Sequence, residues 1–248
     1  MTIPRTIHQI WFQGINNISE KYLPNIKSIV DKNPNWEVKY WDENSIRQVV
    51  SALGEKYLKK YESFPLMLQK IDFGRYAILY SEGGISIDVD VFALKPLDEI
   101  PHINDSDFIV SNNSLNTFIN NATILVKKNH PLIKELLDTI VDNNKSYKDN
   151  SLQIIQTTGP LAFTRFINKH RDEVTILDYS YLEPCSGMNK WCKIKENSIL
   201  DHRHEGSWVN PFYKKLAQTN YFLLEHKKVI VIILIIVILI FILTRNKN

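Results

Sequence analysis

Ile71-Asp72-Phe73-Gly74-Arg75-Tyr76-Ala77-Ile78-Leu79-Tyr80-Ser81-Glu82-Gly83-Gly84-Ile85-Ser86-Ile87-Asp88-Val89-Asp90-Val91-Phe92 is the stretch on which the reading of this chain turns. It predicts an amphipathic helix, a double-glycine stop, and a short apolar strand ending in two acids. Asp88 and Asp90 stand two apart, and on a strand such residues point the same way. Two carboxylates so placed can hold a hard divalent cation, which in turn can neutralise a diphosphate. Taken alone, the pair also fits a strand terminus running into a turn. Asp72 and Arg75 lie three apart on the helix and share a face, a spacing equally suited to an ordinary helix salt bridge. Gly83 and Gly84 end the helix where a left-handed residue is needed and permit close backbone approach.

Taken together, Asp72-x-x-Arg75-Tyr76-x-x-Leu79-Tyr80-x-x-Gly83-Gly84-Ile85-x-x-Asp88-x-Asp90 resembles the DXD-containing glycosyltransferase family of the yeast initiating α-1,6-mannosyltransferase. Inositol-phosphorylceramide mannosyltransferases and α-1,4-galactosyltransferases look like relatives, and the catalytic domain of the large clostridial glucosylating toxins is similar at a greater distance. Ile3-Pro4-Arg5-Thr6-Ile7-His8-Gln9-Ile10-Trp11 resembles the family's opening strand, and His204-Glu205-Gly206-Ser207-Trp208 its closing motif. The matching motifs therefore span residues 3 to 208. Ser86 departs from the pattern, since many members carry an aromatic after Gly-Gly-Ile, and this bears on donor preference.

The resemblance implies a GT-A-like, Rossmann-type mixed sheet with helices on both faces. It implies that Asp90 ligates Mn²⁺ or Mg²⁺ directly, while Asp88 contacts the donor ribose or reaches the metal through water. Asp72 and Arg75 become a clamp on the donor sugar, with the Arg75 fork suited to the β-phosphate. Trp11 is otherwise a core residue; the family pattern suggests that it stacks on the nucleotide base. His8 reads as a buttress of its strand, and Asn121 looks like the family's asparagine near the donor. The segment from His202 to Trp208 could be a solvated loop. The family suggests instead that it closes over the donor, with Ser207 and Trp208 touching it and His204 contributing to the metal site.

A chain of 248 residues suffices for one α/β domain, and 44% apolar with 23% charged residues is ordinary for a globular protein. The formal net charge of +3, with no basic stripe interleaved with aromatics, does not point to nucleic acid as the main partner. Cys185 and Cys192 are the two cysteines, and they read as free thiols ahead of a bridge. Val229 to Leu243 is an unbroken run of Val, Ile, Leu and Phe flanked by Lys227, Lys228, Arg245 and Lys247. As a helix it spans about 22 Å, short of the roughly 30 Å bilayer core but within reach of snorkelling lysines. A buried core segment is the competing reading. The expected organisation is therefore a catalytic domain over 1–225 and a membrane anchor over 226–248. Met1-Thr2-Ile3-Pro4-Arg5 shows no leader, so a single-pass, C-terminally anchored chain with a cytosolic domain is expected, the alternative being a Golgi or endoplasmic-reticulum lumen.

Strands are expected at 5–12, 36–41, 108–110, 123–126 and 174–179. Helices are expected from Ser19 to Asp31, at 43–53 and 55–62, from Pro65 through the motif, and at 131–143 and 160–170. Such alternation implies a parallel or mixed sheet covered on both faces. The expected activity is metal-dependent transfer of a hexose from a nucleotide sugar to a glycan, lipid or protein hydroxyl. The resemblance implies retention of anomeric configuration. An inactive membrane-tethered sugar-binding or scaffold protein would show decay of the motif acids, and here all are intact. A hydrolase with paired carboxylates needs acids flanking a bond, and these stand only two apart.

Overall fold

The computed structural model describes residues 2–114, 116–185 and 192–204, and the single positions 215, 219 and 226. Residues 1–186 and 192–205 make one compact unit; 187–191 and 206–248 make a second, which holds the three single positions. The anchor expected at 226–248 lies, but for residue 226, outside the described residues. Among the described residues no helix is long and apolar enough to cross a membrane.

The first unit opens with β1 (Thr6–Ile10), α1 (Leu23–Lys32) and β2 (Glu37–Trp41). The first helix starts at Leu23 rather than at Ser19, because a 3-10 turn over Glu20–Tyr22 comes first and Pro24 suits the opening turn. There follow α2 (Glu43–Ala52), α3 (Glu55–Ser63) and α4 (Met67–Glu82). Asp42 and Ser45 close a reciprocal cap at the head of α2, side chain to backbone in both directions. Helix α4 was expected to be amphipathic and is not. Gln69 and every residue from Asp72 to Leu79 are buried, because α2, α3, α5 (Pro131–Asp142), α6 (Asn150–Thr157) and the sheet enclose it.

After α4 come β3 (Gly84–Ile87), β4 (Val91–Ala93), β5 (Phe108–Ser111) and β6 (Thr123–Val126). Beyond α5 and α6 lie α7 (Pro160–Lys169), β7 (Thr175–Leu177), α8 (Tyr179–Leu182) and β8 (Leu200–His202). The main sheet runs β2-β1-β3-β6-β5-β7. It is mixed: β1 is parallel to β2 and β3, β6 is antiparallel to β3 and β5, and β5 is parallel to β7. Apolar side chains fill both faces. Ile7, Ile85 and Leu125 meet Ile29 and Leu200 on one, while Ile124 and Val110 meet Phe73 and Tyr76 on the other. A separate antiparallel ladder pairs β4 with β8 and sets Val91 opposite His202.

The expected strand through Asp90 stops at Ile87. Asp88 to Asp90 form a turn closed by Val91 N–H donating to the Asp88 carbonyl at 3.1 Å. The two acids are therefore gathered by a turn between two sheets, not by strand alternation. Cys185 and Cys192 are bonded to each other, which corrects the expectation of free thiols. Sequence spacing left the pairing open; the main-chain path brings their Cα atoms to 5.6 Å.

Candidate active site

Helix α4 delivers Asp72 and Arg75 to the end of the sheet where β3 stops. Arg75 is 4% exposed and does not pair with its helix neighbour. Its Nη2 donates to Asp88 Oδ1 at 2.5 Å, and its Nη1 donates to the carbonyls of Asn121 at 2.7 Å and Ala122 at 3.3 Å. The guanidinium thus ties the turn after β3 to the entry of β6, and the Asp88 amide reinforces the tie by donating to the Ala122 carbonyl. Its Nε is buried with no partner among the described residues.

Asp72 sits deeper. Asn121 Nδ2 donates to its Oδ1 at 3.0 Å, and Thr158 Oγ1 donates to its Oδ2 at 3.0 Å. Tyr76 receives a bond from Asn121 and donates to the Thr158 carbonyl. Gly159, at the head of α7, packs tightly on α6, where an added Cβ would stand 3.0 Å from the Ile154 carbonyl oxygen. Burial raises the Asp72 carboxyl to about 6, against the pull of Arg75 and these hydrogen bonds. Burial also raises Asp88, with Arg75 opposing.

Asp90 meets His202, which the sequence placed in the closing segment without a role of its own. His202 Nε2 stands 3.3 Å from Asp90 Oδ1, and its Nδ1 stands 2.8 Å from Glu183 Oε1. Potential ligand atoms of Asp88, Asp90 and His202 all lie within 4.8 Å of one another, a donor set of two carboxylates and one imidazole that fits a single divalent cation. His204 is not in that group. It belongs to a neighbouring one with Glu183 and His202, and its Nε2 faces Glu183 Oε2 at 3.2 Å and the Cys185 carbonyl at 2.8 Å. Burial works against a charged His202, yet Glu183 and Asp90 outweigh it and hold the ring well above the ordinary histidine range. Burial likewise opposes a charged Glu183, but the two imidazoles bring it down to about 2.

His8 is fully buried and is a buttress, as its place in the strand suggested. Trp41 Nε1 donates to its Nδ1 at 3.1 Å, so Nε2 carries the proton toward the Gly83 carbonyl at 2.8 Å. Burial depresses it to about 4 and keeps it neutral. Trp11, just past β1, is half-buried and tilted against Tyr22 at 5.3 Å, with its indole Nε1 unpartnered among the described residues. Both amide atoms of the fully buried Gln9 share that condition. Ser207 and Trp208 lie outside the described residues. Glu183, Thr158 and His202 were not singled out from sequence, because nothing local marks them: each acts through a residue that is distant in the chain.

The family model for the glycosyltransferase sugar-binding region containing the DXD motif matches residues 19–107. An uncharacterised glycosyltransferase of Acanthamoeba polyphaga mimivirus is 30% identical over 217 residues, covering 84% of this chain and 84% of the relative. Inositol phosphoceramide mannosyltransferase 3 of Schizosaccharomyces pombe is 30% identical over 164 residues, covering 64% of this chain and 43% of the relative. The chain thus spans less than half the length of that yeast protein. A solved glycosyltransferase involved in glycosylation of the major capsid of PBCV-1 superposes with a TM-score of 0.52 at 11% identity, covering 86% of this chain and 98% of that one. That likeness speaks for the fold, a mixed α/β arrangement consistent with GT-A.

Proposed function

The chain belongs to the DXD-motif glycosyltransferases and is an enzyme of that class; from this premise we propose that it is a metal-dependent, retaining hexosyltransferase using a nucleotide sugar. The supporting observation is that Asp72, Arg75, Asn121 and Asp88 form one continuous hydrogen-bonded network, buried at Asp72 and Arg75 and partly exposed at Asp88, with Asp90 beside Asp88 at its open end. Arg75 is the fixed positive charge of that network, and Asp72 with Asn121 offers hydroxyl-binding groups beside it. Asp88, Asp90 and His202 would hold Mn²⁺ or Mg²⁺, which when bound supplies a Lewis acid for the departing diphosphate. No second carboxylate stands apart as a nucleophile in this network, so departure and attack on one face of the sugar is the proposed route to retention. Trp11 would stack on the base, and Ser207 and Trp208, which match the family's closing motif, would contact the donor.

The acceptor is a hydroxyl on a glycan, lipid or protein. The names of the yeast relatives put mannose first among the sugars transferred and inositol phosphoceramide first among acceptors. Residues 1–225 would form the catalytic part, and the apolar run over 229–243 would tether it to a membrane. The test is release of free nucleotide by the full chain from UDP-Glc, UDP-Gal, UDP-GlcNAc and GDP-Man. Each is run with Mn²⁺, with EDTA, and with or without acceptor. Release that requires Mn²⁺ and rises with acceptor is expected; release unaffected by EDTA overturns metal dependence, and no release from any donor overturns the activity.

A further inference from the structure

Glu183 is 1% exposed and is wholly committed to its neighbours. Asn120 Nδ2 donates to its Oε1 at 2.5 Å, His202 Nδ1 approaches the same oxygen at 2.8 Å, and His204 Nε2 approaches Oε2 at 3.2 Å. We propose that Glu183 is a positioning residue for the cation site, fixing the His202 ring with Nδ1–H spent on Glu183 and Nε2 turned to Asp90. The proposal rests on the metal-dependent reading above.

The geometry carries it in three ways. An imidazole has two distinct nitrogens, and the hydrogen bond made by one decides which proton the other keeps. A histidine that ligates a metal typically donates its second N–H to a carboxylate, and loss of that partner costs roughly 10–100-fold in affinity or activity. Here the line Glu183–His202–Asp90 has that form, and the far nitrogen belongs to the Asp88, Asp90 and His202 group. The ring also has little freedom to turn. It stacks on His204 at 3.9 Å, and the pairing of β8 with β4 sets His202 against Val91. Finally, Glu183 is itself held. Its amide donates to the Tyr179 carbonyl at 2.8 Å, and Ile199 N–H donates to the Tyr181 carbonyl at 2.8 Å. Two residues on, Cys185 is bridged to Cys192. His204, with Nε2 against the Cys185 carbonyl, props this arrangement and is not assigned as a ligand.

The experiment uses the detergent-solubilised full chain and reads Mn²⁺ itself, by electron paramagnetic resonance of the free ion, beside thermal melts. Glu183→Gln keeps the side-chain shape and is expected to weaken Mn²⁺ binding 10–100-fold while the protein remains folded. The ¹⁵N signals of His202 in the metal-free wild type should show a proton on Nδ1 engaged in a strong hydrogen bond, and that signature should be lost in the variant. Glu183→Asp, which keeps the charge but withdraws the oxygens, serves as the second variant and should also weaken Mn²⁺. Wild-type affinity for Mn²⁺ in either folded variant overturns the role of Glu183 alone. A wild type that binds no Mn²⁺ overturns the metal-dependent reading and this inference with it.

Discussion

Asp72 shows how a single residue carries information in both directions. Its carboxyl, raised to about 6 by burial, holds its proton to a higher pH in the folded chain than an exposed aspartate does. A carboxyl raised above its unfolded value stabilises the fold fully below about pH 4, and that contribution is lost as pH rises through about 6. Asp72→Asn cannot ionise, so its stability relative to wild type should improve by about 2–3 kcal/mol between pH 4 and pH 7.5. Paired denaturant titrations at the two pH values check this, and an unchanged difference rules out the buried carboxylate as the cause. Asp90→Asn should keep the fold and reduce nucleotide release by orders of magnitude, since it removes a hard anionic ligand. EDTA should reproduce that loss in wild type, with Mn²⁺ restoring wild type only. Trp11→Ala should raise the donor KM by roughly 5- to 150-fold, the worth of about 1–3 kcal/mol for aromatic stacking on a base. Melting curves run alongside separate this from simple unfolding, which would make Trp11 a core residue packed on Tyr22.

At the scale of elements, the junction between α4 and β3 is the critical joint. Gly84 has φ of 91°, and a Cβ there would stand 2.4 Å from the Thr6 carbonyl oxygen on the neighbouring strand. Gly84→Ala therefore meets both left-handed strain and a backbone clash, and about 2–4 kcal/mol of lost stability is expected, read as a shift in denaturant midpoint. A variant as stable as wild type would mean that β1 and β3 are not held this closely. Most elements were legible because their periodicity and caps are local: 123–126 was read to the residue, and 43–53 and 131–143 to within one. Four were not legible: Val91–Ala93, Asn150–Thr157, Tyr179–Leu182, whose first residue was read into a strand, and Leu200–His202. Asn150–Thr157 lacks a clean apolar stripe, and Leu200–His202 is a three-residue strand that exists only because β4 lies beside it. The reading of α4 as amphipathic failed for a related reason. Its polar members Asp72, Arg75 and Gln69 are buried among partners from other segments, not turned to solvent.

On the scale of the whole molecule, the Cys185–Cys192 bridge and the apolar run over 229–243 bear on where the chain resides. A disulfide persists in oxidising compartments and is reduced in the cytosol. The bridge therefore weighs against a cytosolic domain and toward a lumenal one. Alkylation of the membrane-bound chain before any reduction should leave both cysteines unmodified by mass. Two alkylated cysteines in freshly isolated membranes would instead support the cytosolic face. Carbonate extraction should leave the full chain in the pellet, and recovery in the supernatant would remove the case for a membrane-spanning segment.

Residues 71 to 92 and the two flanking motifs determined, without any coordinates, the α/β class, the helix–glycine–acid order and the candidates Asp72, Arg75, Asp88 and Asp90. They could do so because helix periodicity, glycine conformation and an acid pair separated by one residue are properties of near neighbours. The tertiary structure alone decided how the candidates are wired. Arg75 reaches Asp88 across a sheet end rather than Asp72 along its helix, and His202 rather than His204 faces Asp90. Glu183 and Thr158, distant in the chain, complete the two halves of the site. Those choices depend on which segments pack together, and burial, which moves Asp72 to about 6, has no meaning until they do.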